Sequence, residues 1–270
     1  MIHLPYINPD MFVIAGMIHV RWYGFMYLLG FVTAWFIGRD RWHRLGLNHD
    51  ALLDYFSYVA FGILIGGRLG YMMIYQLPLF LQSPWTLFTV WKGGMAFHGA
   101  LLGGLVALIL FSRSRQLAVF KMIDFTMPLI PPGLFFGRFG NFINGELWGR
   151  VSYLPWAMVF PRSDGFPRHP SQIYEMFGEG LLLYFLMNWH RRRPNRSPGM
   201  LGAWFIFHYG WIRFVIEFYR EPDHHLGFVA YNYLSMGQCL CAMMVCAGLV
   251  WLCVAKRQHV LPRAEMLSST

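Results

Sequence analysis

The chain has 270 residues, of which 56% are hydrophobic and only 13% charged. A soluble domain carries about 25% charged residues, so a water-soluble globular class is excluded, and apolar runs near the roughly 20 residues that cross a hydrocarbon core point to a polytopic helical membrane protein. The formal charge of +9 does not indicate nucleic-acid binding, because the basic residues lie in short loops between apolar runs rather than on one face.

The opening stretch, MIHLPYINPD, lacks the basic segment of a cleavable signal peptide, so the first apolar helix is expected to act as the insertion signal. Seven spans are predicted, at about 17–38, 54–76, 95–112, 120–140, 172–190, 200–220 and 235–255, in one all-α integral-membrane domain covering residues 1–270. The runs are continuously apolar, which excludes the alternating segments of about 10 residues that build a membrane β-barrel. The loop after the first span reads RDRWHR (39–44), and the third is followed by RSRQ (113–116) with Lys121 nearby. HRRRPNR (190–196) follows the fifth and KRQ (256–258) the seventh. Arg150, Arg162 and Arg168 occupy the longest loop of the other side, which is otherwise poorer in basic residues for its length. The positive-inside rule then predicts a periplasmic N-terminus and a cytoplasmic C-terminus. Pro78 and Pro84 close the second span, and Pro194 and Pro198 precede the sixth. Cys239, Cys241, Cys246 and Cys253 share the last run and read as small apolar fillers.

An ionisable residue inside a membrane helix costs on the order of 2.5–3.5 kcal/mol on insertion scales, so each needs a reason. In chain order these are Arg21 and Tyr23 in RWYG, Arg68 in GGRLGY and His98 in GGMAFHGA. GRFGNFINGELWG (137–149) brings Arg138, Asn141, Asn144 and Glu146, and Glu175, Glu179, His208, Arg213 and Glu217 follow. With the predicted topology Arg21, Arg68, His98, Arg138, Glu175 and Arg213 fall in the outer half of the bilayer or at its outer rim, as expected of one polar chamber opening outward. Glu175 and Glu179, like Arg213 and Glu217, are spaced i,i+4 and share a helix face. Each has a plainer reading beside the functional one. Arg150 and Arg220 can snorkel to headgroups, Glu175 and Glu217 can neutralise buried arginines, His98 and His208 can be packing histidines, and Tyr23 can anchor the interface. GRLG (67–70) and GRFG (137–140) form a weak internal echo.

Guanidinium groups at headgroup level suit an anionic phosphate, which they bind through two donors at once. An imidazole in a glycine-rich turn can take a proton near neutral pH, so the chamber is expected to do chemistry on a lipid. There is no G-x-S-x-G elbow, no H-E-x-x-H, no paired C-x-x-C and no Walker loop.

GRFGNFINGELWG resembles the signature of the prolipoprotein diacylglyceryl transferases. RWYGFMY (21–27), GGRLGY (66–71), WKGGMAFHGA (91–100), RHPSQIYE (168–175), YGWIRFVIEFYREPD (209–223) and SMGQ (235–238) fall in that family's order. The resemblance implies a seven-span bacterial inner-membrane enzyme with its active site facing the outer leaflet. It implies transfer of the diacylglyceryl group of phosphatidylglycerol to the lipobox cysteine of a prolipoprotein, with release of glycerol 1-phosphate and no metal or organic cofactor. By the family pattern His98, Arg138, Asn141, Glu146 and Tyr23 match residues important for activity, and Arg213, Glu217 and Arg220 match a second charged group that contacts lipid or gates its exit. Our expectation is that His98, Tyr23 and Arg138 are catalytic, with His98 as the thiol's base and Tyr23 as the alternative acceptor. Arg138, Asn141, Asn144, Glu146, Arg68, Arg213, Glu217 and Arg220 bind substrate. Two departures are HGA at 98–100, where many members have a second glycine, and RWYG, which places arginine where some relatives carry histidine. The loop between Gly149 and Arg168 is short. A phospholipid transporter or flippase is the competing class, but it should line both halves of the bilayer with polar groups, whereas the inner halves here are mostly apolar. A structural subunit would leave the arginines without a purpose.

Overall fold

The structure, a computed structural model, describes residues 2–14, 18–89, 93–194, 196–221, 228–230 and 234–268. Position 17, where the first span was placed, the first two residues of WKGGMAFHGA, Asn195 of HRRRPNR, and Pro222 and Asp223 lie outside the described residues. The chain forms two compact units, one of residues 1–37 with 124–270 and one of residues 38–123.

The chain opens with β1 (Ile2–His3), β2 (Asp10–Ile14) and β3 (Ile18–Arg21), followed by α1 (Trp22–Trp42), α2 (His49–Tyr75), the short α3 (Leu77–Gln82) and α4 (Phe97–Ser114). Next come α5 (Val119–Thr126), α6 (Ile130–Ile143), β4 (Met158–Val159) and α7 (Ser171–Glu175), then α8 (Leu183–Arg192) and α9 (Met200–Glu217). The chain ends with β5 (Phe228–Ala230), β6 (Leu234–Ser235) and α10 (Met236–Ser268). A π-helical segment, Met176–Leu182, joins α7 to α8.

The described residues are mostly helical, and four of their helices are long and apolar enough to cross a membrane: His49–Tyr75, Phe97–Ser114, Val119–Ile143 and Met236–Arg257. The segments around α7–α8 and α9 carry Glu175, Glu179, His208, Arg213 and Glu217, which lowers their hydropathy. Phe61, Leu64, Leu101, Leu102, Phe185 and Val250 are exposed. Outward-facing apolar rows of this kind belong to a protein bathed in lipid.

Three local expectations are corrected. The first span does not begin at 17: Ile18–Arg21, with two β-branched residues in four, pairs antiparallel with Asp10–Ile14, and helix starts at Trp22. The fourth is not uniformly α-helical: within Val119–Ile143 the stretch Met127–Leu129 tightens to a 3-10 turn where Pro128 removes a backbone donor, and Pro131 and Pro132 follow in the next turn. The architecture is also not purely helical, since three two-stranded sheets form, including a parallel pairing of Ile2–His3 with Met158–Val159.

In the unit of residues 38–123, α2 and α4 cross at glycines. A Cβ on Gly66 would lie 2.7 Å from Gly103 Cα, and one on Gly70 would lie 2.9 Å from Gly99 Cα. The partner numbers fall as the α2 numbers rise, so the helices are antiparallel, with backbones meeting where small residues recur every fourth position. Trp42, Tyr55 and Phe111 close the other end.

In the larger unit, Leu183, Met187, Leu201, Ile212 and Ile216 form a buried apolar core between α8 and α9. The start of α9 is capped from a distance: the Asp124 carboxylate accepts from the backbone N–H of Gly199, Leu201 and Gly202 at 2.9, 2.8 and 3.3 Å. It satisfies orphan donors and sits at the positive end of the helix dipole. Asp124→Ala is expected to cost about 1–2 kcal/mol, read as a lower thermal unfolding midpoint in detergent.

Candidate active site

GRFGNFINGELWG forms the last turns of α6 and the loop beyond it. Arg138 and Asn141, three residues apart, are neighbours on one face of α6, and Asn144 is its C-terminal cap. The Glu146 Oε1 atom accepts from the amides of Asn141 at 2.9 Å and Asn144 at 3.2 Å. No basic side chain pairs with Glu146 among the described residues. Asn144 Oδ1 is buried and accepts no hydrogen bond among the described residues. The Tyr23 ring lies against Gly140, whose Cβ would stand 3.0 Å from the ring, and the Tyr23 hydroxyl meets that of Tyr27 at 3.0 Å.

The turn that presents Glu146 is strained. Gly145 and Leu147 have φ of 62° and 59°, and the second is a left-handed conformation at a branched side chain. That costs about 1–2 kcal/mol and needs outside support. α7 supplies it: Gln172 Nε2 donates to the Glu146 carbonyl at 2.6 Å and Ser171 Oγ to the Leu147 carbonyl at 3.0 Å. At Gly149 a side chain is impossible, because its Cβ would fall on the carbonyl oxygen of Tyr219 and within 2.8 Å of His169 Cβ. There the loop crosses the end of α9, with Arg150 N–H bonding the Tyr219 carbonyl at 2.9 Å and Arg150 Nε the Arg220 carbonyl at 2.8 Å.

Beneath this loop lies an ionic cluster of three arginines and three glutamates. Glu175 contacts Arg213, pairs with Arg220 Nη1 at 2.7 Å and faces Arg138 Nε at 3.3 Å. Glu179 meets Arg213 Nη1 at 3.0 Å and Arg138 Nη2 at 3.5 Å. Glu217 meets Arg213 Nη2 at 3.0 Å and Arg220 Nε at 3.3 Å, and accepts from Ser235 Oγ at 3.2 Å. The expected i,i+4 faces are therefore real for both pairs. Glu175 and Glu179 have 0% side-chain exposure, against 20% for Arg138, 14% for Arg213 and 15% for Arg220. An approaching anion meets guanidinium edges before it meets carboxylates. Arg138 Nη1 has no partner among the described residues and is not enclosed.

The other predicted residues are placed differently. Arg68 and His98 belong to the smaller unit. Arg68 is buried and spends every donor on the 86–94 loop: Nε on the Leu87 carbonyl at 3.1 Å, Nη1 on the Gly93 and Gly94 carbonyls, Nη2 on those of Thr86 and Thr89. In this conformation it holds the loop before α4 and has no donor left for a phosphate. His98 is exposed in the first turn of α4, edge-on to Phe97 at 5.6 Å. Arg21, at the end of β3, pairs with Asp10 of β2 at 3.6 Å. His208 is a packing histidine: its Nδ1 accepts from Trp211 Nε1 at 2.9 Å, which leaves Nε2 to donate to His190 Nε2 at 2.9 Å.

Sequence reasoning missed the supports. Ser171 and Gln172 gave no signal of their own. Ser235–Gln238 did, since S-x-x-Q is a capping box; Ser235 Oγ accepts from Gln238 N at 3.2 Å at the start of α10 and ties it to Glu217. Arg168 rivets the loop between α6 and α7 through Asp164 at 2.7 Å, Glu221 at 3.0 Å and the Gly149 carbonyl at 3.0 Å. That hydrogen bond holds the Asp164 carboxyl below the usual carboxylate range, while burial and then Arg150 hold the His169 imidazole below its own.

Apolar helices around a neutral arginine–glutamate cluster define an integral membrane protein with an ionic site held between its helices. The family model of prolipoprotein diacylglyceryl transferases matches residues 9–254, and the chain belongs to that family. A relative from Legionella pneumophila (strain Lens) is 46% identical over 259 residues, covering 95% of this chain and 100% of its own length. One from Oleidesulfovibrio alaskensis is 45% identical over 252 residues, covering 93% and 94%. Both are named phosphatidylglycerol–prolipoprotein diacylglyceryl transferase.

Proposed function

We propose that this chain transfers the diacylglyceryl group of phosphatidylglycerol to the lipobox cysteine of prolipoproteins, the first step of bacterial lipoprotein maturation. The cysteine sulfur forms a bond to the glycerol carbon, the carbon–oxygen bond to phosphate breaks, and glycerol 1-phosphate leaves with the bonding pair. The thiol proton passes to a base, for which His98 is our assignment and Tyr23 the alternative. A thiol with an ordinary pKa near 8.5 is mostly protonated at neutral pH, so it needs that help. Arg138 holds the phosphodiester and stabilises the charge that develops on the leaving group. Asn141, Asn144 and Glu146 order the headgroup, and Arg213, Glu217 and Arg220 complete the charged wall. Arg68 serves by fixing the loop ahead of α4. The reaction as written draws on no metal or organic cofactor.

The observation that carries this reading is the unpartnered edge of Arg138 above two fully buried carboxylates, in a chain of this family. We place the protein in the bacterial inner membrane as one seven-span domain, N-terminus periplasmic and C-terminus cytoplasmic, with the site opening to the outer leaflet. The arginine-rich loops after alternate spans and the reach of a signal-peptide cysteine to that leaflet support this placement. Purified protein mixed with phosphatidylglycerol and a lipobox peptide should release glycerol phosphate and add a diacylglyceryl mass to the cysteine. Folded protein that does neither overturns the proposal.

His98→Gln tests the base. A lost general base costs about a hundredfold or more, and the deficit should shrink as rising pH ionises the thiol unaided. Near-normal rates across a pH series would remove His98 from that role.

A further inference from the structure

The ionic cluster is balanced: the guanidiniums of Arg138, Arg213 and Arg220 face the carboxylates of Glu175, Glu179 and Glu217. Balance is a poor design for gripping phosphate tightly. It suits a site that must also let phosphate go. A phosphodiester carries one negative charge, whereas a phosphate monoester gains a second near pH 6 and reaches nearly two at neutral pH. Three unopposed arginines would therefore hold the leaving group more firmly than the lipid that delivered it, and such binding slows turnover without lowering the barrier.

We propose that Glu179 is a positioning residue, an internal counter-anion that competes with phosphate for Arg138 and Arg213 and so sets how quickly the phosphate product leaves. Its placement fits that task. Glu179 has 0% exposure and touches both arginines, at 3.5 and 3.0 Å, and Arg138 Nη1, like Arg220 Nη2, has no partner among the described residues. It stands in the π-helical segment, and such interruptions recur at functional sites. Gly180 beside it lets that segment abut α6, since a Cβ there would lie 2.7 Å from Phe135 Cβ. Glu175 contacts all three arginines and anchors them, while Glu179 contacts only Arg138 and Arg213.

The inference rests on the reading of Arg138 as the phosphate ligand, and the test separates the two. Glu179→Gln keeps the shape and removes the charge, leaving three guanidiniums against two carboxylates. Inhibition of transfer by added glycerol 1-phosphate should tighten about tenfold, with KM for phosphatidylglycerol falling and kcat falling with it. A residue that only braces the fold would raise KM or leave the inhibition unchanged. Glu179→Asp, which keeps the charge, should restore the wild-type inhibition constant. Glu217→Gln makes the same charge change from α9 and serves if the first variant does not fold. Inhibition unchanged or weakened in the glutamine variants, with Arg138→Ala inactive, overturns this inference alone. Wild-type transfer by Arg138→Ala overturns the phosphate-ligand reading and this inference with it.

Discussion

Arg138→Ala is expected to lower diacylglyceryl transfer by about a hundredfold or more, the usual cost of losing one preorganised donor to developing negative charge. The protein should still insert and fold. Glu175 keeps Arg213 and Arg220, and Glu179 keeps Arg213, so neither buried carboxylate is abandoned. Two effects add in the variant: the open guanidinium edge is gone, and the cluster acquires a surplus negative charge that repels a phosphodiester. Arg138→Lys separates them. Lysine restores the charge but is a single point donor that cannot fork between Glu175, Glu179 and a ligand, so transfer should recover only part of the way, to about a tenth of wild type. Rates are normalised to folded protein in the membrane. Alanine activity within threefold of wild type would remove Arg138 from the site.

Two identical tetrapeptide patterns show how far the sequence could be read. GRLG and GRFG both put an arginine among glycines in an apolar helix, and both arginines read as phosphate ligands. Arg138 turned out to face carboxylates with an edge to spare, while Arg68 is consumed by carbonyls of the 86–94 loop. The difference lies in what stands opposite each helix, and no local pattern records that. Helix periodicity did predict that Glu175 with Glu179, and Arg213 with Glu217, share faces, because spacing is a local property. It could not show that all four belong to one cluster with Arg138 and Arg220, since that needs α6, the π-helical segment and α9 to meet. The helical class was legible from composition, as lipid selects apolar surface along whole segments. The pairing of Asp10–Ile14 with Ile18–Arg21 was hidden because β-branched residues suit a membrane helix and a strand equally well. The GxxxG-like crossing of α2 and α4 was readable in FGILIGGRLG, but only when the glycines are counted as a packing face rather than as room for a turn.

The largest stability effect is expected at Glu175→Ala, about 3–5 kcal/mol, because removing one partner of a buried ion pair strands the charges that remain. Glu175 is fully buried and is the one acid in contact with Arg138, Arg213 and Arg220 together. Without it Arg220 keeps only Glu217, and Arg138 keeps only the longer contact to Glu179. The Asp54–Arg115 pair in the other unit provides the internal comparison. Its side chains are 49% and 40% exposed, and solvent screening reduces such a pair to about 0–1 kcal/mol, so Asp54→Ala should barely move the unfolding midpoint. Glu175→Gln should fall between wild type and Glu175→Ala, since the amide oxygen still accepts from a guanidinium while its N–H₂ faces one. The order wild type, Asp54→Ala, Glu175→Gln, Glu175→Ala in thermal unfolding in detergent is the expected result. A Glu175→Ala protein as stable as Asp54→Ala would mean that the arginines are solvated by water entering from the open edge of Arg138 rather than held by the acid beneath them.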